Sequence, residues 1–255
     1  MNTSAPPVRK PWQLRLYDAY LSSGQASVSS NTPQEAFATR RAYLTEFIAK
    51  HFPQDREARI LDIACGHGKM LYFLSAAGYI HAEGVDVSQE QVDAAHRLGI
   101  PNVVCGPAFD HVAGLPDESL DVAILFDILE HLEKQDLFDL IDEVHRTLRP
   151  GGVCLVHVPN GEGIFAMRVL FGDLTHRQAF TQKSFAQLFS TLGFTRIECF
   201  EDRPVVHGLT SLVRRILWEL GTAPFRLLIK AETGDIRPIL SQNLVGRAVK
   251  ATQGR

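Results

Sequence analysis

The sequence predicts an α/β protein with a Rossmann-like, doubly wound, mostly parallel seven-stranded sheet that has an antiparallel edge strand. Three observations predict this fold. Between about residue 59 and residue 160, apolar runs of strand length alternate with helical patterns, which is typical of parallel strands joined by right-handed crossovers. The run "LDVAILFD" at 120–127 is apolar without alternation, as expected of a strand covered on both faces. Two late strand patterns, separated by a long helical one, favour antiparallel closure of one edge.

Composition and charge limit the classes of function. A chain of 255 residues with 45% hydrophobic residues can bury a sizeable core. A net charge of −3 gives no electrostatic reason to expect nucleic acid as a partner. The four cysteines form no CxxC pair, which favours free thiols in a reducing compartment. Because the start has no apolar leader and no apolar run reaches about eighteen residues, we expect a soluble, cytoplasmic protein.

The chain divides into three parts. Residues 1–55 form a Pro- and Ser-rich tail and two helical patterns, around 11–21 and 33–51, which we expect to act as a helical lid. Residues 56–160 carry the alternating pattern, and we expect them to form the ligand-binding core of the sheet. Residues 161–255 supply substrate-side helices and the closing strands of the same sheet, with an inserted helical segment before the last strand.

The elements of the core follow its apolar runs. We expect strands at 58–63, 81–87, 102–105, 120–127 and 152–159 and helices at 69–78, 88–99 and 134–148. Ser88 and Gln91 predict a capping box at the start of the second helix. The third helix is expected to end at Pro150-Gly151-Gly152. Its apolar stripe consists of Leu137, Leu140, Ile141, Val144 and Leu148.

The last part is more mixed. We expect a helix at 182–192, a strand at 195–201, a long helical segment at 209–230 and a final strand at 243–250. The long segment combines large apolar residues with four basic ones, namely Arg214, Arg215, Arg226 and Lys230. Two interpretations stay open: contact with a membrane surface beside a lipid-linked acceptor, or a helix packed over the sheet edge or the active site. We favour the packed helix.

The stretch "LDIACGHGKM" at 61–70 predicts a ligand-binding turn after the first strand. Gly66 and Gly68 match the start of the dinucleotide fingerprint, and Asp86 follows about twenty residues later, where an acid accepts ribose hydroxyls. Leu71 stands where the third glycine of that fingerprint belongs, which counts against NAD. Asp62 places a negative charge where a diphosphate would lie. The turn therefore favours a cationic, adenosine-containing ligand without a pyrophosphate.

These residues carry a family resemblance. "ILDIACGHG", the strand end at Asp86, "FDILEHL" and "LRPGG" resemble, in order and spacing, the class I S-adenosylmethionine-dependent methyltransferases. The resemblance implies S-adenosyl-L-methionine as cofactor. It places the turn residues along the methionine part, Asp86 and Val87 at the ribose, and the end of the fourth strand beside the sulfonium. The cofactor-binding residues so implied are Asp62, Ala64, Cys65, Gly66, His67, Gly68, Asp86, Val87, Phe126 and Asp127.

Two positions depart from that family's pattern. Ala64 stands where the family usually has glycine. Pro107 stands where related sequences carry an acid that binds the adenine amino group. Asp110, one helical turn later, is expected to take over this contact, or the contact is lost.

A narrower likeness concerns the acceptor. "FGDLTHRQAFTQKSFAQLF" resembles methyltransferases of bacterial surface-glycan pathways, and the quinone-pathway O-methyltransferases share "LEH". These resemblances imply methyl transfer to a small-molecule or glycan hydroxyl. His176, in a loop free to differ with the substrate, and His131, past the fourth strand, are the candidate catalytic residues. Tyr17, Tyr20 and Arg40 in the lid are the candidate substrate-binding residues.

Other functions are considered beside this one. A catalytically lapsed cofactor-binding protein, acting as a regulator or partner subunit, is kept open by Pro107. An NAD-dependent enzyme is disfavoured by Leu71. Asp127 and Asn160 end two neighbouring strands, as in magnesium-dependent catechol methyltransferases, but an octahedral oxygen site usually needs more carboxylates than these residues supply. We therefore expect no metal.

Overall fold

A computed structural model describes residues 11–25, 30 and 32–252, so most of the predicted N-terminal tail lies outside the described residues. Seven strands form one sheet in the order β3-β2-β1-β4-β5-β7-β6. The strands are β1 (Arg59–Ile63), β2 (His81–Asp86), β3 (Val103–Cys105), β4 (Leu120–Phe126), β5 (Leu148–Pro159), β6 (Phe194–Glu201) and β7 (Asn243–Lys250).

The direction of the strands confirms the predicted doubly wound sheet. The strand pairs from β3 through β5 are all parallel. The reversed strand is β7, which is antiparallel to both β5 and β6 and lies between them. The antiparallel pairing is therefore at the predicted side of the sheet, and β6 forms the outermost strand.

Helices flank the sheet on both sides. They are α1 (Trp12–Asp18), α2 (Pro33–Ala36), α3 (Arg41–His51), α4 (Lys69–Ala76), α5 (Gln89–Arg97), α6 (Ala108–Ala113), α7 (Lys134–Thr147), α8 (Ala166–Leu170), α9 (Gln182–Thr191) and α10 (Leu209–Thr233). The two short helices α6 and α8 were not predicted from the sequence pattern. The remaining core and C-terminal helices lie close to their predicted positions.

The central strand β4 explains why an apolar run without alternation was informative. Ala123 and Leu125 face one buried apolar cluster, and Val122 and Ile124 face the other. Since neighbouring side chains of a strand point to opposite faces, both faces of β4 need apolar residues when helices cover the sheet on both sides. All four side chains are fully buried.

One helix end differs from its prediction. The stripe of α7 is buried as expected, but Leu148 is not part of the helix: it begins β5 in an extended conformation. Pro150-Gly151-Gly152 therefore lies inside the irregular start of β5, where the register with β4 shifts. The prediction was wrong because Leu148 is buried by the strand, so the apolar spacing of the helix continues into it.

The predicted capping box at α5 is also absent. Ser88 occupies the N-cap position, but its hydroxyl finds no partner among the described residues. Asp86 Oδ1 instead accepts the Ser88 backbone N–H at 2.8 Å. Gln91 Oε1 lies 3.0 Å from His67 Nδ1. Asp86, at the end of β2, thus takes the place that Gln91 would have at the Ser88 N–H. Gln91 instead contacts His67 of the glycine turn.

Gly84 allows the close packing of helix on strand that the third glycine of the dinucleotide fingerprint, replaced here by Leu71, would otherwise allow. A Cβ atom on Gly84 would lie 2.8 Å from Leu71 Cδ1 and 2.6 Å from Cys65 Sγ. The helix α4 can therefore keep the bulky Leu71 and still pack against β2, because the strand instead of the helix contributes the glycine.

The long helix α10 packs in an unexpected way. Of its 25 residues only Ser211 and Thr222, within this described segment, are buried. Arg226 forms an ion pair with Glu201 at 2.8 Å, so polar side chains face the protein. The apolar side chains that we expected to pack lie exposed instead, among them Leu217, Leu220, Leu227 and Leu228. None of the described helices has the length and apolar character needed to traverse a bilayer.

The packing of β7 against α9 predicts a strong effect of one added methyl group. A Cβ atom at Gly246 would lie 2.1 Å from Cζ of Phe185, which is fully buried. We expect Gly246→Ala to lower the free energy of unfolding by about 1–3 kcal/mol, as overpacking does, in a urea titration. Gly208→Ala is the control, because none of the described atoms lies within 4 Å of the new Cβ. Equal midpoints for the two variants would contradict this packing.

Candidate active site

The candidate site lies at the carboxyl ends of β1 and β4. From this point the chain continues to β2 on one side of β1, whereas β4 flanks it on the other, which makes a topological switch point. Ligands of open α/β sheets bind in the crevice outside such a point. The glycine turn at 64–68 and the residues Asp86 and Asp127 lie at the carboxyl ends of β1, β2 and β4.

The turn after β1 has an unusual backbone. Ala64, Gly66 and Gly68 all have positive φ angles, of 63°, 56° and 78°. Glycine adopts this conformation freely, whereas a residue with a Cβ atom pays about 1–2 kcal/mol for it. The departure at Ala64 is therefore accommodated with local strain. The turn keeps its left-handed path and directs the Gly66 N–H towards β2.

Asp86 is held in place by two backbone groups. The Gly66 N–H donates to Oδ2 and the Ser88 N–H donates to Oδ1, both at 2.8 Å. Burial raises the pKa of Asp86, and these two hydrogen bonds act to lower it. Each carboxylate oxygen keeps a further lone pair for a hydroxyl donor. The geometry is suited to a pair of ribose hydroxyls at the end of β2.

Asp62 is a second acid beneath the turn. Its side chain is only 3% exposed. Burial, followed by the nearby charge of Asp86, raises the pKa of Asp62 to about 7, and Lys69 acts in the opposite direction. A cation bound here would stabilise the charged form of Asp62. Burial lowers the pKa of Lys69, and the charge of Arg40 lowers it further.

Asp127, at the end of β4, contacts a histidine that sequence reasoning missed. His157 Nδ1 lies 2.6 Å from Asp127 Oδ1, and its Nε2 lies 3.4 Å from Asp202 Oδ2. Burial alone would lower the pKa of His157, but the two carboxylates raise it well above its ordinary value. The Asp127 side chain is 60% exposed to the crevice, and although desolvation by the surrounding protein opposes its ionisation, His157 lowers the pKa of this carboxyl. The pair is thus charged, and it fixes Asp127 beside Phe126 at the crevice.

The two candidate catalytic histidines come together although they are far apart in the sequence. The ring centroids of His131 and His176 are 4.7 Å apart, and His176 Nε2 lies 3.9 Å from Glu130 Oε1. One ligand atom from each of these three residues lies within 4.8 Å of the others. Burial raises the pKa of Glu130 well above its ordinary value and lowers the pKa of His131 to about 4. We call this group the Glu130–His131–His176 cluster.

The N-terminal segment reaches across the crevice to this cluster. The Tyr17 ring lies 6.3 Å from the His131 ring, and the Tyr20 hydroxyl donates to Asp173 Oδ2 at 3.4 Å. The backbone N–H groups of Leu21 and Ser22 donate to Glu90 Oε2 on α5. Two of the three predicted substrate-binding residues therefore border the cluster, whereas the charge of Arg40 acts on Lys69.

The adenine side of the crevice is more open. Val87 is 41% exposed, and the Cys105 thiol donates to its backbone carbonyl at 3.7 Å. Pro107 is the N-cap of α6, and Asp110 is an exposed residue in the first turn of that helix. Asp110 thus lies on a short helix that the sequence pattern did not predict, and its contact with adenine stays a prediction.

Asn160 is not oriented for a metal. Its amide nitrogen donates to the carbonyls of Ile239 and Ser241, both at 2.8 Å, and its Oδ1 accepts the Glu162 N–H at 3.0 Å. The side chain is fully buried. Asn160 therefore joins β5 to the segment before β7 and does not act with Asp127.

Comparison with known proteins agrees with this geometry. A family model for a methyltransferase domain matches residues 37–198. The 27-O-demethylrifamycin SV methyltransferase of Amycolatopsis mediterranei is 30% identical over 146 residues, which cover 54% of this chain and 50% of that protein. The O-methyltransferase rstn1 of Aspergillus nomiae is 29% identical over 181 residues, covering 62% of this chain and 79% of that protein. The match thus spans half the length of the first relative.

Other matches differ in their acceptors. The tRNA N(3)-cytidine methyltransferase METTL2 of Gallus gallus is 25% identical over 169 residues, 57% of this chain and 45% of that protein. A SAM-dependent methyltransferase structure from Archaeoglobus fulgidus aligns with a TM-score of 0.64 and 22% identity, covering 85% of this chain and 97% of that one. At this identity the structural likeness supports the fold alone.

The ion pair of His157 predicts a pH-dependent stability. Because folding raises the pKa of His157, its contribution is fully present below the unfolded value of about 6.5 and is lost as pH rises through the folded value. His157→Gln should lower the free energy of unfolding by about 1.5–3 kcal/mol near pH 5.5. We expect the loss of unfolding free energy to lie at the lower end of this range, because the Asp127 side chain is 60% exposed to the crevice and solvent weakens the ion pair.

Urea titrations at about pH 5.5 and about pH 9.5 measure this difference, which should narrow at the higher pH. His81→Gln is a matched control, because His81 pairs with Glu57 at 3.2 Å on the surface, where both side chains are exposed. If the loss of unfolding free energy in His157→Gln were the same at both pH values, the charged imidazole of His157 would not be the cause of that loss.

Proposed function

This chain belongs to the S-adenosyl-L-methionine-dependent methyltransferases of the methyltransferase domain family, and from that premise we propose that it methylates a hydroxyl group of a small molecule or glycan. The observation that carries the proposal is the convergence of His131 and His176 beside the strand end at Asp127. A hydroxyl acceptor must lose a proton during methylation, and imidazoles are suited to this task. Two O-methyltransferases among the relatives support the same acceptor chemistry.

The proposed reaction is an in-line displacement. A lone pair of the acceptor oxygen forms the new C–O bond as the C–S bond of the sulfonium breaks, and S-adenosylhomocysteine leaves. The acceptor proton passes to a base near the oxygen. Positioning and exclusion of water supply most of the catalysis, because the sulfonium already activates the methyl carbon.

The proposed cofactor site uses the residues at the ends of β1, β2 and β4. The turn residues Ala64, Cys65, Gly66, His67 and Gly68 line the methionine part together with Asp62. Asp86 and Val87 hold the ribose, Asp110 reaches the adenine, and Phe126 and Asp127 border the sulfonium. The fixed Asp86 carboxylate and the exposed Val87 support this arrangement.

The proposed acceptor site lies on the other side of the methyl group. His176 accepts the proton or contacts the acceptor, and His131 assists it. Tyr17, Tyr20 and Arg40 contact the acceptor from the lid formed by residues 1–55, while 56–160 hold the cofactor and 161–255 complete the acceptor side. The contacts of Tyr17 and Tyr20 with the cluster region support this division.

The alternatives predict different outcomes. A catalytically lapsed protein would bind S-adenosyl-L-methionine tightly and show no turnover on any acceptor. Pro107 is the feature that favours it. An NAD-dependent enzyme is not retained, because the family uses S-adenosyl-L-methionine. Calorimetry with the cofactor, combined with a turnover assay on hydroxyl-bearing acceptors, separates the proposal from the lapsed alternative.

The role of Asp86 is tested through cofactor affinity. Asp86→Ala removes the acceptor for two ribose hydroxyls, and a hydrogen bond to a charged group contributes about 1.5–3 kcal/mol. We expect at least a tenfold weaker affinity for S-adenosylhomocysteine by calorimetry, a factor that corresponds to about 1.4 kcal/mol. Glu83→Ala is the matched control, since Glu83 is an exposed acid on the same strand. Wild-type affinity in Asp86→Ala would place the ribose elsewhere.

The two histidines are expected to respond differently. His176→Ala should lower turnover by at least about a hundredfold with cofactor affinity nearly unchanged, because a positioned base contributes about 10²–10⁴-fold. His131→Ala should weaken cofactor binding or stability together with the rate. Turnover and calorimetry are measured on both variants. Wild-type turnover in His176→Ala, with a rate lost in His131→Ala alone, would reverse the two assignments.

A further inference from the structure

Glu130 is a buried acid whose surroundings are not explained by methyl transfer. Its side chain is only 1% exposed, and Oε2 finds no hydrogen-bond partner among the described residues. A buried polar atom without a partner is destabilising, and more so when the group is charged. Its other oxygen lies 3.9 Å from His176 Nε2, beyond hydrogen-bond distance. The carboxyl group therefore points into a space that protein atoms leave incompletely satisfied.

The hydrogen bonds around His131 determine which ring nitrogen faces that space. His131 Nδ1 lies 2.7 Å from the Thr175 hydroxyl, and this hydroxyl donates to Asp173 Oδ1 at 2.5 Å. Since the hydroxyl proton goes to Asp173, Nδ1 of His131 must be the donor in its contact with Thr175. Nε2 of a neutral His131 then carries the lone pair, and the backbone of Asp127 is the other hydrogen-bonding group beside this ring.

His176 is oriented in the same way. Its Nδ1 donates to the Val169 carbonyl at 3.0 Å, so Nε2 carries the lone pair that faces Glu130. Metal-binding histidines typically donate their other ring N–H to a carbonyl or carboxylate, which fixes the tautomer. Both histidines of the cluster have such an outer partner.

The distances fit one shared ion. The three candidate ligand atoms lie within 4.8 Å of one another. Nitrogen and oxygen ligands about 2.0–2.2 Å from a common ion can be at most about 4.4 Å apart. The 3.9 Å separation of Glu130 and His176 is already within that limit, and the widest separation needs only a small side-chain movement.

We propose that Glu130, His131 and His176 bind a divalent first-row transition metal ion, such as Zn²⁺ or Mn²⁺, that keeps open coordination positions for the acceptor. Two imidazoles and one carboxylate suit these ions, whereas Mg²⁺ prefers an all-oxygen site. The ion satisfies the orphaned carboxylate of Glu130. The expectation of no metal considered Asp127 with Asn160, and this site uses neither residue.

The catalytic role of this metal ion deepens the proposed function and rests on it, whereas binding of the ion does not. The acceptor oxygen binds the ion, which lowers the pKa of the hydroxyl, and its proton passes to solvent. The oxygen then forms the C–O bond to the methyl group as the C–S bond breaks. With the ion bound, His176 and His131 act as its ligands instead of accepting the proton, so the loss of turnover expected for His176→Ala would then follow from loss of the ion and not from loss of a base.

Metal binding can be measured without any acceptor. The full chain is treated with a chelator, dialysed and titrated with Mn²⁺ alone, and free Mn²⁺ is followed by electron paramagnetic resonance. We expect one ion per chain, displaced by Zn²⁺, which binds such sites more tightly. Glu130→Gln and His176→Ala should each weaken binding at least about a hundredfold. His207→Ala is the control, an exposed histidine outside the cluster.

Two further measurements complete the test: a variant of the residue that orients His131, and the binding of S-adenosylhomocysteine. Thr175→Val removes the hydroxyl that orients His131 and should weaken Mn²⁺ binding about tenfold or more. S-adenosylhomocysteine affinity, measured on the same samples, shows whether each variant is folded. Wild-type protein that binds Mn²⁺ no better than Glu130→Gln overturns the metal site. Metal binding without turnover on hydroxyl acceptors would instead contradict the proposed function and leave the metal site standing.

Discussion

Carboxylates gathered at one edge of the sheet are the constraint on which the rest of this structure depends. Because β1, β2 and β4 are parallel, their acidic ends meet at the same crevice. Each acid is stabilised differently. Asp86 accepts two backbone N–H groups, and Asp127 pairs with the His157 imidazolium. Asp62 and Glu130 have raised pKa values instead. Such a crevice favours a cationic ligand, and the sulfonium and ammonium groups of S-adenosyl-L-methionine supply that charge.

One carboxylate, that of Asp173, connects the N-terminal segment to the Glu130–His131–His176 cluster. Asp173 accepts the hydroxyls of both Tyr20 and Thr175, and the Thr175 oxygen in turn accepts the His131 ring N–H. The position of the N-terminal segment and the orientation of the imidazole are thereby linked through three successive hydrogen bonds. In a buried network each bond polarises the next, so these groups are expected to order together.

Much of the fold follows from short-range pattern, whereas the site follows from it only in part. The strands were predictable because both-sided burial requires apolar runs, and the turn at Gly66 and Gly68 because few residues tolerate its φ angles. The capping box at Ser88 failed because Asp86, from the preceding strand, took the backbone N–H. His157 carried no sequence signal, since its partners come from two other segments. The same is true of the meeting of His131 with His176, which depends on the path of a loop.

The helix α10 shows a related limit. Its composition suggested an apolar packing face, yet its buried residues are Ser211 and Thr222, and Arg226 forms an ion pair with Glu201 of β6. Composition alone does not reveal which face of a helix is turned inward, because polar contacts such as Arg226 with Glu201 compete with apolar burial for that face.

The position of β7 has a consequence for biosynthesis. Residues 243–250 pair with β5 on one side and β6 on the other, so neither neighbour is complete until this late segment has been synthesised. A nascent chain therefore exposes an open edge of β5 and an unpaired β6 while about fifty residues are added, which takes several seconds at the usual rate of elongation. Exposed strand edges recruit other strands. Until β7 has been synthesised, the open edge of β5 can therefore pair with strands of other chains.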